Sequence, residues 1–141
     1  ELICDTIHLC PEMIQLVFKN VPLDRIMLIT DSISAAWMPD GEYVEAGLTV
    51  HVKDGICRLP EGNLAGSTAR YYECLCNVRD LTERPLHEII RTTSWNQAQS
   101  LGLKDFGKVE PGFHADLTIM EPGTLMPLKT IVGGVVTELF D

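Results

Sequence analysis

The sequence predicts an α/β protein, and three patterns carry that prediction. A short apolar run, an amphipathic helix and a second apolar run open the chain; an alternating, turn-punctuated stretch follows; after several helical segments the pattern returns to β. Leu2-Ile3-Cys4 is short and continuously apolar, as a strand buried on both faces would be. Pro11 suits the first position of a helix. Met13, Ile14, Val17, Phe18 and Val21 then recur on one helical face, which Pro22 and Asp24 close. Residues 25–30 (Arg-Ile-Met-Leu-Ile-Thr) read as a second buried strand. The result is a βαβ unit, with His8 just past the end of one strand and Asp31 just past the end of the next.

In the middle, Tyr43, Leu48, Val50 and Val52 alternate with polar residues, and Asp54-Gly55 signals a hairpin turn before Ile56-Cys57-Arg58-Leu59. A glycine-containing loop, residues 62–68, leads into helical patterning over residues 69–81, with Ser67 or Thr68 as the expected helix cap. Further helices are expected over residues 86–93 and 96–101, the latter stopped by Gly102. Residues 115–120, 128–132 and 135–139 read as strands, the last two flanking a Gly133-Gly134 turn.

The 141 residues are enough for one domain, and an apolar share of 45% supports a real core. Eleven basic against twenty acidic residues leave a formal charge of −9, which repels a phosphate backbone and argues against a nucleic-acid partner. A small phosphorylated substrate needs only one local cationic pocket. The five cysteines have no framework spacing and read as reduced, mostly buried thiols. No run approaches the roughly 18 apolar residues of a membrane span, and the first residues do not resemble a signal peptide. The expectation is a cytoplasmic protein without membrane contact. The chain opens inside an apolar run without Met, which reads as part of a longer polypeptide.

Asp31 is the most informative residue, because the C-terminal ends of parallel strands present catalytic groups. Position alone leaves a second reading open, in which Asp31 caps the following turn with Ser32 and Ser34. His8 would open onto the same rim, as a substrate or metal contact or as a half-buried loop residue. His51, His87 and His114 form no metal pattern and read as structural or surface groups. The amides of Leu64-Ala65-Gly66-Ser67 offer a polar cradle that glycine permits a ligand to approach.

Several segments taken in order resemble the N-acetylglucosamine-6-phosphate deacetylases of the amidohydrolase superfamily. They are Asp5-Thr6-Ile7-His8, Leu28-Ile29-Thr30-Asp31-Ser32, Pro39-Asp40-Gly41-Glu42-Tyr43, Gly47-Leu48-Thr49-Val50 and Gly62-Asn63-Leu64-Ala65-Gly66-Ser67-Thr68. A tail through Gly107-Lys108-Val109-Glu110-Pro111-Gly112 and Ala115-Asp116-Leu117 is shared more widely across amidohydrolases. The resemblance covers essentially this whole chain but only about the last third of a family member. It implies the C-terminal part of a metal-dependent-hydrolase (β/α)8 TIM barrel, residues 1–103, incomplete here, followed by the C-terminal strands of a small β-sandwich domain, residues 104–141.

The family cleaves the acetamide of N-acetylglucosamine 6-phosphate to glucosamine 6-phosphate and acetate with a divalent metal such as zinc, iron or manganese. Asp31 matches its catalytic aspartate, which takes a proton from metal-bound water and returns it to the leaving amine. Asp5, His8, Leu64, Ala65 and Gly66 match substrate-binding positions. The family's metal-binding Glu and two His lie on earlier strands, so this chain is expected to supply no metal ligand. Its phosphate-gripping groups lie there too, one reaching over from a partner subunit of a homodimer or homotetramer.

The chain departs from the pattern at Thr6 and Trp37, where the family has glycine, and at Ala69-Arg70-Tyr71-Tyr72. A barrel takes about 250 residues to close, so no deacetylase activity is expected of this chain in isolation. Two other readings stay open: a dihydroorotase-like or deaminase-like amidohydrolase, and a non-catalytic remnant or scaffold, which Thr6 and Trp37 favour.

Overall fold

The computed structural model describes residues 1–138. Its parallel element consists of three extended segments. Leu2 and Leu28 form a parallel bridge, with the Leu2 amide donating to the Met27 carbonyl (2.8 Å) and the Ile29 amide to the Leu2 carbonyl (3.0 Å). Ser32 and Ser67 form a second parallel bridge. The expected strands over residues 2–4 and 25–30 are therefore only partly realised. Leu23–Arg25 is a 3-10 turn, and pairing is confined to single bridges. On the side of Leu28 that faces away from Leu2, other groups take the backbone in place of a further strand. The Leu28 amide donates to the Thr92 carbonyl (2.8 Å), and the Leu28 carbonyl accepts from the Tyr71 hydroxyl (2.9 Å) and the Gln97 amide (2.9 Å).

Between the first two segments runs helix α1 (Pro11–Asn20), with Pro11 in its first turn and Ile14 and Phe18 buried. Val17 and Val21 pack at the edge of that core, whereas Met13 turns toward solvent. Between the second and third segments, where a βαβ unit would place a helix, the chain makes an antiparallel meander instead. Its strands are β1 (Gly41–Glu45), β2 (Leu48–Lys53) and β3 (Ile56–Arg58), in that spatial order. The turns Ala46-Gly47 and Asp54-Gly55 both have positive φ at both residues, as tight hairpins of right-twisted strands require. Val50, Val52 and Cys57 of the meander close over Ile33 and Ala35.

Helices α2 (Tyr71–Thr82), α3 (Leu86–Ile89) and α4 (Trp95–Ser100) follow, with a 3-10 turn at Ile90–Thr93. Cys74, Leu75 and Val78 of α2 join Cys4, Ile14, Phe18, Ile26, Leu28 and Ile89 in the main core. Neither Ser67 nor Thr68 caps α2. The helix starts later, with Arg70 at the cap position and no side-chain capping bond. Asn96 ties α4 to the second parallel segment, its amide donating to the carbonyls of Leu23 (2.6 Å) and Ile26 (2.7 Å).

A second antiparallel sheet ends the described chain: β4 (Leu117–Met120), β5 (Pro127–Val132) and β6 (Val135–Glu138), in that order. Gly133-Gly134 turns β5 into β6 with φ of 56° and 83°. Leu139, expected in the last strand, lies outside the described residues. The sheet meets the helical layer through Leu125, Met120 and the loop at Gly123, whose carbonyl accepts from Arg79 (2.9 Å).

All five cysteines are free; Cys4, Cys57 and Cys74 are buried and Cys10 is exposed. Burial pushes the Cys4 thiol up to about 12 and the Cys74 thiol to about 11, so both stay protonated. Among the described residues no helix is long and apolar enough to cross a membrane.

Candidate functional site

The bridges set the register of the site. Asp5 and Asp31 each lie three residues beyond the bridged pair Leu2 and Leu28, and Gly66 precedes Ser67 as Asp31 precedes Ser32. Asp5, Asp31 and Gly66 thus fall at one level at the ends of three neighbouring parallel segments.

Asp5 and His8 form one unit. Asp5 Oδ1 accepts from the amides of Ile7 (2.9 Å) and His8 (2.9 Å), and Asp5 Oδ2 lies 2.7 Å from His8 Nδ1. An ionised carboxylate can only accept, so Nδ1 carries a proton and the ring is held in one orientation. His8 Nε2 is buried and has no hydrogen-bond partner. Such an atom is costly to leave unpaired and fits a group that a ligand would satisfy.

Asp31 and the loop after β3 form the other unit. Asp31 has φ of 53°, in the left-handed region that is uncommon for residues with a side chain, though aspartate enters it more readily than most. Its carbonyl accepts from the Ser67 amide at 2.8 Å. Gly66, with φ of 66°, packs so closely that a Cβ would meet Ile33 Cγ2 at 2.6 Å, the Asp31 carbonyl oxygen at 3.0 Å and Asp31 Oδ2 at 3.8 Å. The carboxylate therefore sits beside the glycine loop. Asp31 does not cap the turn that follows: among the described residues Ser34 bonds Glu45 instead, by its amide (2.8 Å) and hydroxyl (2.6 Å). Those two bonds hold the Glu45 carboxyl below its ordinary value. Leu64 bridges Arg58 of β3, and the Ala65 amide donates to the Cys57 carbonyl (3.2 Å). The meander thereby places the loop against Asp31.

No direct hydrogen bond joins the two units among the described residues. Nor do three or more His, Cys, Asp or Glu side chains among the described residues gather closely enough to hold a metal ion. His51 is exposed on β2, 3.7 Å from Glu42; His87 is exposed; His114 stacks on Phe106 with ring centroids 4.1 Å apart.

The unusual residues fall at telling places. Thr6 and Trp37 have φ of 67° and 73°, so both adopt a glycine-like backbone despite their side chains. Arg70 lies over the Trp37 ring, 4.8 Å from its centroid, within cation–π range. Trp37, Arg70, Ile7 and Asp5 line a cavity of about 420 Å³ beside the Asp5–His8 unit, together with Asp54 and Asn77. The Trp37–Arg70 contact had no spacing signal in the sequence, since 33 residues separate the two. Ser67 was legible only as a capping candidate, and its role at Asp31 depends on a partner far along the chain.

The amidohydrolase family model matches residues 16–137. The chain is 36% identical over 134 residues to an N-acetylglucosamine-6-phosphate deacetylase of Lysinibacillus sphaericus, covering 95% of this chain and 34% of that protein. It is 36% identical over 124 residues to a putative N-acetylgalactosamine-6-phosphate deacetylase of Escherichia coli K12, covering 87% of this chain and 74% of that protein. The crystal structure of an N-acetylglucosamine-6-phosphate deacetylase from Thermotoga maritima superposes with a TM-score of 0.89 at 41% identity, over 96% of this chain and 37% of that one. The chain thus spans about a third of the Lysinibacillus and Thermotoga proteins. A matched family model over most of the chain and a shared three-dimensional course lead to one conclusion: the chain belongs to the amidohydrolase family.

Proposed function

We propose that this chain is the C-terminal part of an enzyme that removes the acetyl group from N-acetylglucosamine 6-phosphate, with Asp31 as its general base and acid. The observation that carries the reading is the Asp31 corner: a carboxylate at the end of a parallel segment, in a left-handed backbone, beside a glycine loop with no room for a side chain. In amide hydrolysis Asp31 would take a proton from the attacking water and pass it to the leaving amine. His8 Nε2, oriented by Asp5, would contact a substrate oxygen, and Leu64, Ala65 and Gly66 would line the sugar. Residues 1–103 would belong to the barrel and residues 104–141 to the small β domain. The zinc, iron or manganese class of metal we assign to the complete enzyme would be held by side chains this chain does not supply. We also assign the complete enzyme a cytoplasmic location and a homodimeric or homotetrameric assembly.

The test is a deacetylase assay on a polypeptide that carries this chain together with the upstream segments its relatives possess. Wild type should release acetate from N-acetylglucosamine 6-phosphate, and Asp31→Asn should lower kcat by about 10²–10⁴-fold. The similarity to the Escherichia coli protein favours one second reading, the galactosamine epimer, so both sugars belong in the assay. Turnover of neither overturns the proposal. This chain alone should turn over neither.

A further inference from the structure

Ser67 engages the backbone around Asp31 at three points. Its amide donates to the Asp31 carbonyl (2.8 Å), its hydroxyl donates to the Thr30 carbonyl, and its own carbonyl accepts from the Ile33 amide (3.1 Å). The peptide groups before and after Asp31 are thereby both held by one residue. The hydroxyl also accepts from the Ala69 amide (3.2 Å), so it both donates and accepts. Ser67 is only 2% exposed, which leaves little water to compete.

The backbone bonds alone are those any residue would make in a parallel bridge. What the serine adds is the hydroxyl bond to the Thr30 carbonyl, on the peptide that precedes Asp31. That is the peptide whose orientation sets φ of Asp31, and φ is the unusual angle here, at 53°. Without a side-chain donor, the Thr30 carbonyl would be freer to turn and Asp31 freer to relax to a commoner conformation. A helix cap is not the explanation, because α2 begins at Tyr71 without any side-chain capping bond.

We propose that Ser67 is a positioning residue for Asp31, its hydroxyl locking the Thr30–Asp31 peptide so that the carboxylate stays beside Gly66. The proposal rests on reading Asp31 as the general base. Misplacement of a reacting group by about 1 Å costs about 10²-fold in rate, so the effect should appear in kcat.

The test compares wild type, Ser67→Ala and Ser67→Thr in the complete polypeptide, by kinetics and by amide hydrogen exchange. Ser67→Ala should lower kcat about 10–100-fold with KM little changed, and should displace the acid limb of the pH–rate profile. Ser67→Thr, which keeps the hydroxyl, should recover most of kcat. Exchange at the Ile33 and Ser67 amides should quicken in Ser67→Ala while α1 stays protected. An alanine variant with unchanged kcat and acid limb overturns the proposal, as does exchange that quickens equally in α1 and β2. If wild type turns over no substrate, the enzyme reading fails and exchange alone decides. Loosening confined to residues 30–33 and 67 then supports a positioning role for the hydroxyl; none, or global loosening, overturns it.

Discussion

The two antiparallel sheets share a topology, β1-β2-β3 and β4-β5-β6 in simple meander order, yet they stand in different relations to the rest of the chain. The first closes Val50, Val52 and Cys57 over Ile33 and Ala35, and its third strand bridges Leu64, so its packing is continuous with Asp31 and the glycine loop. The second leaves every residue of β6 exposed, including Val135 and Val136, and touches the main core through Leu125 and Met120. Identical topology therefore does not make equal contributions. A meander supports a site when one of its faces is covered by the segment that carries the functional residue.

The sharpest way to break this comparison is at two glycines with the same kind of backbone. Gly66→Ala forces a Cβ to within 2.6 Å of Ile33 Cγ2 and 3.0 Å of the Asp31 carbonyl oxygen, at a φ of 66°. Left-handed strain and overpacking together should cost about 3 kcal/mol in urea denaturation. Gly134→Ala, at φ of 83° with nothing within 4 Å, should show only the backbone part, about 1 kcal/mol. Equal losses would mean that the first sheet is no more tightly built than the second. Next in size, Val50→Ala empties part of the covered face and should cost about 2 kcal/mol, since Val50 is 1% exposed. Val136→Ala, with Val136 55% exposed, should stay within about 0.5 kcal/mol.

The smallest effect sharpens the link between the first sheet and the segment after Asp31. Ser34 lowers the Glu45 carboxyl below its ordinary value of 4.5 by bonding the ionised form. A depressed folded value means that Glu45 favours the fold above pH 4.5 and that its help is lost as pH falls through the folded value. Carboxyl NMR should find Glu45 titrating below 4.5, and Ser34→Ala should bring it back toward that value. No change in Ser34→Ala would break the link.

Local features were legible in the sequence. Pro11 and the Ile14/Phe18 face predicted α1, and Asp54-Gly55 and Gly133-Gly134 predicted two of the hairpin turns, because helix period and turn chemistry are written within a few residues. Ala46-Gly47 takes the same positive-φ geometry without the favoured Asn or Asp at its first position, so β1 had no turn signal. The six site candidates fall into two units, Asp5 with His8 and Asp31 with the 64–66 loop, and nothing in the spacing said they would divide that way. The parallel strands were over-read for a related reason. Apolarity of residues 25–30 predicted burial correctly at Ile26 and Leu28, but a continued sheet also needs free backbone groups on both sides, and those that Leu28 turns away from Leu2 are taken by Thr92, Tyr71 and Gln97.

The amino-acid sequence by itself determined α1, two of the hairpin turns and that Asp31 and His8 follow buried segments, since these depend on neighbours along the chain. Only the tertiary structure decided which distant groups satisfy the backbone at each segment end. Ser67, 36 residues beyond Asp31, bonds the peptide groups on both sides of the aspartate and holds it at an uncommon φ. The physical reason is that a left-handed aspartate and a broken strand are both unfavourable locally. They persist through hydrogen bonds and contacts that exist only once remote residues are packed beside them.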